Sequence, residues 1–267
     1  MHRHQEVERK FDADHDVPLP DLSGAADAVS EAVESQLDAT YFDTADAQLA
    51  RHRITLRRRT GGDDAGWHLK LPGGQDERTE VRLPLGRATR KVPAALVREV
   101  RALVRDRPLV PIAMLHTTRI ERRLLDADGN ALAIVADDTV HAERPTDGAV
   151  EVSTWREVEV ELVDGDQSFL DAVSSRLSDA GLTRSASSSK LARVLGDIPD
   201  PTPATSSDGS SAGRGTAGAA VLAHLQEQVD QLVLRDRGAR SDEPDAVHQM
   251  RVATRRLRSA LATYRPL

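Results

Sequence analysis

His4-Gln5-Glu6-Val7-Glu8-Arg9-Lys10-Phe11 alternates charged and apolar side chains with the two-residue period of a β-strand, setting Glu6, Glu8 and Lys10 on one face and Val7 and Phe11 on the other. Two further segments do the same. Arg53-Ile54-Thr55-Leu56-Arg57-Arg58-Arg59 places Arg53, Arg57 and Arg59 together, and residues 155–162 set Glu157, Glu159 and Glu161 against Val158, Val160 and Leu162. A half-exposed antiparallel sheet would turn such charged faces to water. Here the faces are sorted by sign, and the arrangement recurs at Lys70, at Arg78, Glu80 and Arg82, and at Arg119 and Arg123. The opposite faces (Ile54 and Leu56, Leu69 and Leu71, Val81 and Leu83) are apolar and need cover, which the predicted helices supply only from outside. That leaves the charges inside a closed barrel, an α+β fold with outer helices.

With 267 residues, the chain has room for one domain of ordinary size and a smaller second piece. It is 39% hydrophobic and 30% charged, which reads as globular rather than disordered. No apolar run reaches the ~18 residues of a membrane helix, so no membrane partner is expected. The opening MHRHQEVERKF has no apolar signal core, and the expected address is cytoplasmic. The absence of cysteine excludes disulfides, thiolate metal ligands and cysteine nucleophiles. A formal charge of −7 argues against nucleic acid as a partner, and 3% aromatics leave little for base stacking. Neither number opposes a small polyanion met by clustered arginines.

Along the chain, Leu22, Ala25, Val29, Val33 and Leu37 are spaced for one stripe of a helix over residues 21–37. Strands are expected at 40–44, 53–59, 67–71 and 80–85, with turns at Gly61-Gly62 and Gly73-Gly74. A helix follows over 93–105 with Pro93 in its first turn. Strands return at 117–126, 131–140 and 151–163, then a helix at 167–181 ending in glycine and a short one at 188–195. The Pro/Ser/Gly/Thr-rich stretch 198–218 reads as a flexible linker between a domain at 1–197 and helices at 219–235 and 244–264. Two helices are a weak basis for an independent fold, so residues 219–267 read as the N-terminal part of a helical domain.

Alternate residues on a strand lie roughly 6.5–7 Å apart on one face, so Glu6 and Glu8 reach toward a shared cation while Lys10 meets an anion. Carboxylates this close raise each other's pKa unless a cation stands between them. An oxygen-only ligand set favours Mg²⁺ or Mn²⁺ over zinc. The plainer reading of the same spacing is a solvated strand face with salt bridges to its neighbours. The guanidinium forks of Arg57 and Arg59 match phosphate geometry and stay charged when dehydrated.

Glu6-Val7-Glu8-Arg9-Lys10 resembles the Glu-x-Glu-x-Lys signature of the triphosphate tunnel metalloenzymes, the CYTH family. The rest of the family pattern appears in order: Tyr41-Phe42-Asp43-Thr44, Leu56-Arg57-Arg58-Arg59, His68-Leu69-Lys70-Leu71-Pro72, Thr118-Arg119, Asp138, the Glu157/Glu159/Glu161 strand and Ser189-Lys190. The resemblance covers about residues 1–197 and implies an eight-stranded antiparallel tunnel that binds a triphosphate with Mg²⁺ or Mn²⁺. It implies catalytic roles for Glu6, Glu8 and Lys10. Metal ligands would be Glu6, Glu8, Asp138, Glu159 and Glu161. Period two leaves Glu157 on the same face as Glu159 and Glu161, and Asp137 beside Asp138. Arg57, Arg59, Lys70, Arg78, Arg119, Arg123 and Lys190 would line the phosphate path, with Lys190 capping the tunnel. The implied activity is metal-dependent hydrolysis of inorganic triphosphate or a relative. The alternatives are an adenylate cyclase, a nucleoside or thiamine triphosphatase, and a non-catalytic polyphosphate-binding module.

On the last helix, His248, Arg251, Arg255 and Arg258 fall within roughly 80° of one another, with Val247, Met250, Leu257 and Leu261 on the opposing side. A basic stripe of this kind is most simply a solvated face. The string His248-Gln249-Met250-Arg251-Val252-Ala253-Thr254-Arg255-Arg256-Leu257-Arg258 also resembles the opening of a CHAD domain, a helical polyphosphate-binding module. That resemblance makes polyphosphate a second expected ligand.

Overall fold

A computed structural model of the protein describes residues 1–74, 76–86, 91–146, 148–196, 216–240 and 242–264. The expected linker lies outside the described residues up to residue 215. The chain divides into two compact units: Met1–Val92 with Pro108–Ile198, and Pro93–Arg107 with Pro199–Leu267. No helix among the described residues is long and apolar enough to cross a membrane.

In the first unit the elements run β1 (His2–Ala13), β2 (Ala28–Val29), β3 (Val33–Asp43), α1 (Gln48–Arg51), β4 (Thr55–Thr60), β5 (Gly66–Pro72) and β6 (Glu77–Leu83). After an excursion to the second unit come β7 (Val110–Leu125), β8 (Ala131–Thr146), β9 (Ala149–Leu162), α4 (Gln167–Asp179), β10 (Thr183–Arg184) and α5 (Lys190–Leu195). The strands join in the order β1-β6-β5-β4-β3-β7-β8-β9, and β9 pairs back onto β1. The result is a closed, antiparallel, eight-stranded barrel. The first half of β1 is bonded to β6 and its second half to β9, so this one strand closes the ring.

Closure assigns the two faces of every strand. Val7 and Phe11 lie outside, and Phe11 joins Leu124, Val135, Val158 and Val160 beneath Leu170, Val173 and Leu177 of α4. Burying each such side chain contributes roughly 2 kcal/mol. Asp166 caps α4 by accepting the Phe169 N–H at 2.8 Å. Gly61, at φ +80°, makes the β4–β5 turn where a Cβ would lie 1.9 Å from the Gln36 carbonyl oxygen, so the position admits only glycine.

Three sequence expectations change. Residues 21–37 are not a helix. Asp21 instead accepts the Ser23 N–H at 2.9 Å in a turn, and Val33–Asp43 is a strand bonded to both β4 and β7. Leu37 fits a period of four and a period of two equally, and the two flanking strands decide for two. Arg53 is not on the β4 face; it sits at φ 56° ahead of the strand, exposed. The helix expected over 93–105 is two short ones, α2 (Ala94–Glu99) and α3 (Arg101–Val104), broken at Val100.

Those two belong to the second unit, where α3 packs on α6 (Ala217–Arg240), and α6 pairs with α7 (Ala246–Thr263). On α7, Ala246, Ala253 and Ala260 are buried in seven-residue steps, while Val247 and Leu261 are exposed. The buried seam is therefore rotated from the one the larger apolar residues outline.

Candidate functional site

Cross-strand registers bring the inward rows into contact. Glu6 faces Arg78, Lys70 faces Glu80, Lys10 faces Glu159, and Arg119 faces Asp138. Opposite charges so placed support the sheet. Three acid–acid pairs break the rule, because Glu8 stands across from Glu161, and Glu157 stands across from Asp138 on one side and Asp12 on the other.

The chamber they enclose is lined by Glu6, Lys10, Arg57, Arg59, Lys70, Arg78, Arg119, Glu159, Glu161 and Lys190, with Tyr41, Asp64 and Arg82 among the others. Counted together, eight basic side chains line it against four acidic ones among the described residues. Its free volume is about 40 Å³, because the side chains close on one another. Lys70 meets Glu6 at 2.7 Å and Glu8 at 3.4 Å, and Lys10 meets Glu8 at 3.3 Å and also contacts Glu159. Arg119 grips Asp138 through two hydrogen bonds of 2.7 Å and reaches Glu159 at 3.0 Å. Lys190 reaches Asp138, Glu157 and Glu159 together. A wider cleft of about 250 Å³ adjoins the chamber and shares Lys10 and Arg78 with it, along with Glu8, Arg184 and Ser188.

The electrostatics are uneven along the tunnel. Burial raises Glu8, but Lys10 and then Lys70 outweigh it and hold the carboxyl below its ordinary range. Burial raises Glu161 and the charge of Glu6 adds to it, so its pKa is pushed up to about 7. Glu6 and Glu8 are buried, and the partners of Glu6 Oε2 and Glu8 Oε1 are the charged groups of Lys70, Lys10 and Arg78. At the other end, burial and then Arg57 and Arg119 press Arg59 down to about 9. The lumen thus holds one carboxyl that burial and neighbouring acids push up and one guanidinium that burial and neighbouring arginines press down.

Glu6 and Glu8 are buried and Glu161, across from Glu8, is half-buried, an oxygen-only set of the kind that suits a hard divalent cation. Among the described residues the donors that gather within 4.8 Å of one another are His4, Glu6 and Glu80, and Asp138, Glu157 and Glu159. Asp138 and Glu159 have their oxygens engaged by Lys190 and Arg119. Arg123 is not with this group: its side chain is 55% exposed and lies 4.0 Å from Glu121. Lys190 enters the barrel because α5 plugs one end, with Leu191 packed against Tyr41, Leu115, Val140 and Trp155.

Sequence reasoning gave no role to a second constellation. His68 holds Glu80 at 2.9 Å through Nδ1 and faces the Asp64 carbonyl oxygen at 2.9 Å through Nε2. Burial presses His68 down to about 4, against its hydrogen bond to Glu80. Asp64 pairs with Arg59, and Tyr41 accepts a hydrogen bond from Arg57 at 3.3 Å. The available signal was that His68 precedes Lys70 by two residues and so shares its inward face. Asp43 proves structural: its carboxylate accepts the N–H groups of Thr44, Leu49 and Ala50 at 2.6, 2.8 and 2.9 Å. In the second unit, His248, Arg251, Arg255 and Arg258 are all exposed on α7.

Among known proteins, uncharacterized proteins from two strains of Mycobacterium tuberculosis are 47% identical to this chain over 273 residues. The match covers 97% of the chain but 52% of theirs, so the chain spans about half the length of the curated relatives it matches. A solved structure of a putative adenylate cyclase from Bacillus halodurans is 19% identical with a TM-score of 0.48, covering 73% of this chain and 100% of that one. A putative adenylyl cyclase from Hippeastrum, described as having a dominant triphosphatase activity, is 18% identical with a TM-score of 0.41, covering 73% of this chain and 99% of its own. The family model of the CYTH domain matches residues 4–195 and that of the CHAD domain residues 223–267. With its closed eight-stranded tunnel and charged lumen, the chain belongs to the CYTH family and carries CHAD-domain sequence behind the tunnel.

Proposed function

We propose that the tunnel hydrolyses inorganic triphosphate or a closely related triphosphate with Mg²⁺ or Mn²⁺, in the cytoplasm. One observation carries the reading: carboxylates and an excess of guanidinium and ammonium groups share one small closed chamber. Tyr41 is the one aromatic side chain lining that chamber among the described residues, which favours an inorganic chain over a nucleotide base.

The internal ion pairs define how ligands would enter. Phosphate oxygens take over Arg57, Arg59, Arg119, Lys10 and Lys70, whose donors match them in geometry and charge. Parting Lys70 from Glu6 and Lys10 from Glu8 frees those carboxylates for a cation, so anion and cation favour each other's binding. A divalent ion held by Glu6, Glu8 and Glu161 would supply Lewis acidity and a more acidic water. The arginines hold the phosphate chain extended along the tunnel and stabilise charge gathering on the bridging oxygen as the terminal phosphoryl group departs to water. No side chain needs to form a covalent intermediate.

The test is phosphate release from inorganic triphosphate with Mg²⁺ or Mn²⁺, beside EDTA and ATP. Metal-dependent release, faster from triphosphate than from ATP, is expected. No release by the folded protein would move the reading to a binding module.

A further inference from the structure

The outer face of the barrel carries a constellation that the tunnel does not use. Register sets Asp38 of β3 opposite His116 of β7, His116 opposite His141 of β8, and His141 opposite Thr154 of β9, so the four stand in one row across four strands. Their chain neighbours Leu37, Leu115, Thr117, Val140, Ala142 and Trp155 are buried, so alternation turns the row outward. The side chain of His116 is 54% exposed and that of His141 47%.

Each ring is already oriented by an oxygen. His116 Nδ1 lies 2.5 Å from Asp38 Oδ1, a carboxylate with no proton to give, so Nδ1 carries the hydrogen and Nε2 the lone pair. Among the described residues that Nε2 has no partner. His141 Nδ1 faces the Thr154 hydroxyl at 3.3 Å, and its Nε2 lies 3.9 Å from Glu143 Oε1. Glu143 is two residues further along β8 and shares the outward face. A histidine that binds a metal through one ring nitrogen commonly gives its other N–H to a carboxylate or another oxygen, which fixes the tautomer. Asp38 and Thr154 stand where such outer partners stand, and they leave both Nε2 atoms and Glu143 to meet an ion.

Directly opposed residues of an antiparallel pair have Cβ atoms roughly 4.5–5.5 Å apart, which puts two imidazoles within reach of one ion. Two ligands of a tetrahedral ion with bonds of ~2.1 Å stand ~3.4 Å apart. His141 and Glu143 are therefore close to a ligating separation as they stand. His116 completes the set by a turn of an exposed side chain, a motion that leaves the strands in place.

We propose that His116, His141 and Glu143 form a surface site for an imidazole-preferring divalent ion of the zinc class, with a fourth position left to water. Imidazole suits zinc, nickel and copper, whereas an oxygen-only set suits magnesium or manganese. The site lies outside the tunnel and stands whether or not the tunnel hydrolyses a triphosphate.

Calorimetry with Zn²⁺ on the full chain tests this, in excess Mg²⁺ that keeps hard-ion sites occupied. The wild type is expected to bind one Zn²⁺ more than the variant combining His116→Ala with His141→Ala, and equal counts overturn the proposal. The readout is a difference because His2 and His4, with ring centroids 5.6 Å apart, offer zinc another place in both proteins. His116→Ala, His141→Ala and Glu143→Gln alone should each weaken this ion's binding roughly tenfold or more. A single variant that keeps wild-type affinity overturns the three-ligand set. Imidazole ¹⁵N resonances give an independent measurement on the wild type. Zn²⁺ should shift Nε2 of both His116 and His141, and shifts confined to other histidines, or to Nδ1, sink the idea.

Discussion

Replacing Glu161 by Gln should make the protein more stable at alkaline pH and leave it nearly unchanged in acid. The folded carboxyl titrates at about 7 against an ordinary 4.5, because burial and the charges of Glu6 and Glu8 oppose its charge. The folded state therefore holds this proton more tightly than the unfolded chain does. The stability linked to that proton is fully present below pH 4.5 and is lost as the pH rises through 7. At ~1.4 kcal/mol per pKa unit, the ionised carboxylate costs about 3 kcal/mol at pH 8 and less than about 1 kcal/mol at pH 5. Glutamine mimics the protonated form and escapes the cost. Glu161→Gln should thus gain about 3 kcal/mol at pH 8, roughly 6–12 °C in Tm for a unit of this size. Urea unfolding of both proteins at pH 5 and pH 8 gives the comparison. Mn²⁺ at pH 8 should stabilise the wild type more than the variant, since the ion relieves the same repulsion. A variant that gains equally at both pH values, or loses stability at pH 8, would refute the claim that burial and the neighbouring carboxylates oppose the charge on Glu161.

Arg123→Ala should leave the triphosphate KM unchanged and shift stability by less than about 0.5 kcal/mol, because an exposed pair of this length contributes little; a large rise in KM would put Arg123 on the phosphate path after all. Asp43→Ala should cost about 3 kcal/mol, roughly 1 kcal/mol for each of the three N–H groups it orphans. Thermal denaturation measures it, and a loss below about 1 kcal/mol would mean that the loop before α1 finds other acceptors.

Much of the barrel was legible because a closed sheet imposes one rule on every strand. Period two sends Glu6, Glu8 and Lys10 one way and Val7 and Phe11 the other, and the same test places Arg57, Lys70, Arg119 and Glu159 inside without any knowledge of neighbours. Less legible were segments where two periods compete. Leu37 serves a helical stripe and a strand row equally well, and only hydrogen bonding to β4 and β7 selects the strand. On α7 the large apolar residues drew attention from Ala246, Ala253 and Ala260, whose small side chains let the partner helix approach.

The amino-acid sequence by itself determined which side chains alternate onto the inward row of each strand, and hence that the tunnel is charged, oxygen-rich and free of thiols. Alternation is a property of the backbone and needs no partner. Tertiary structure alone decided how those charges are shared out. Arg119 and Arg123 lie on the same inward row, yet one grips buried Asp138 and the other is exposed beside Glu121. Glu8 faces Glu161 and Asp138 faces Glu157 across strands of equal alternation, yet only the second of these pairs receives Lys190, because α5 returns from far along the chain to plug that end. Which charge meets which depends on register and on burial, and both are set by contacts between residues distant in sequence.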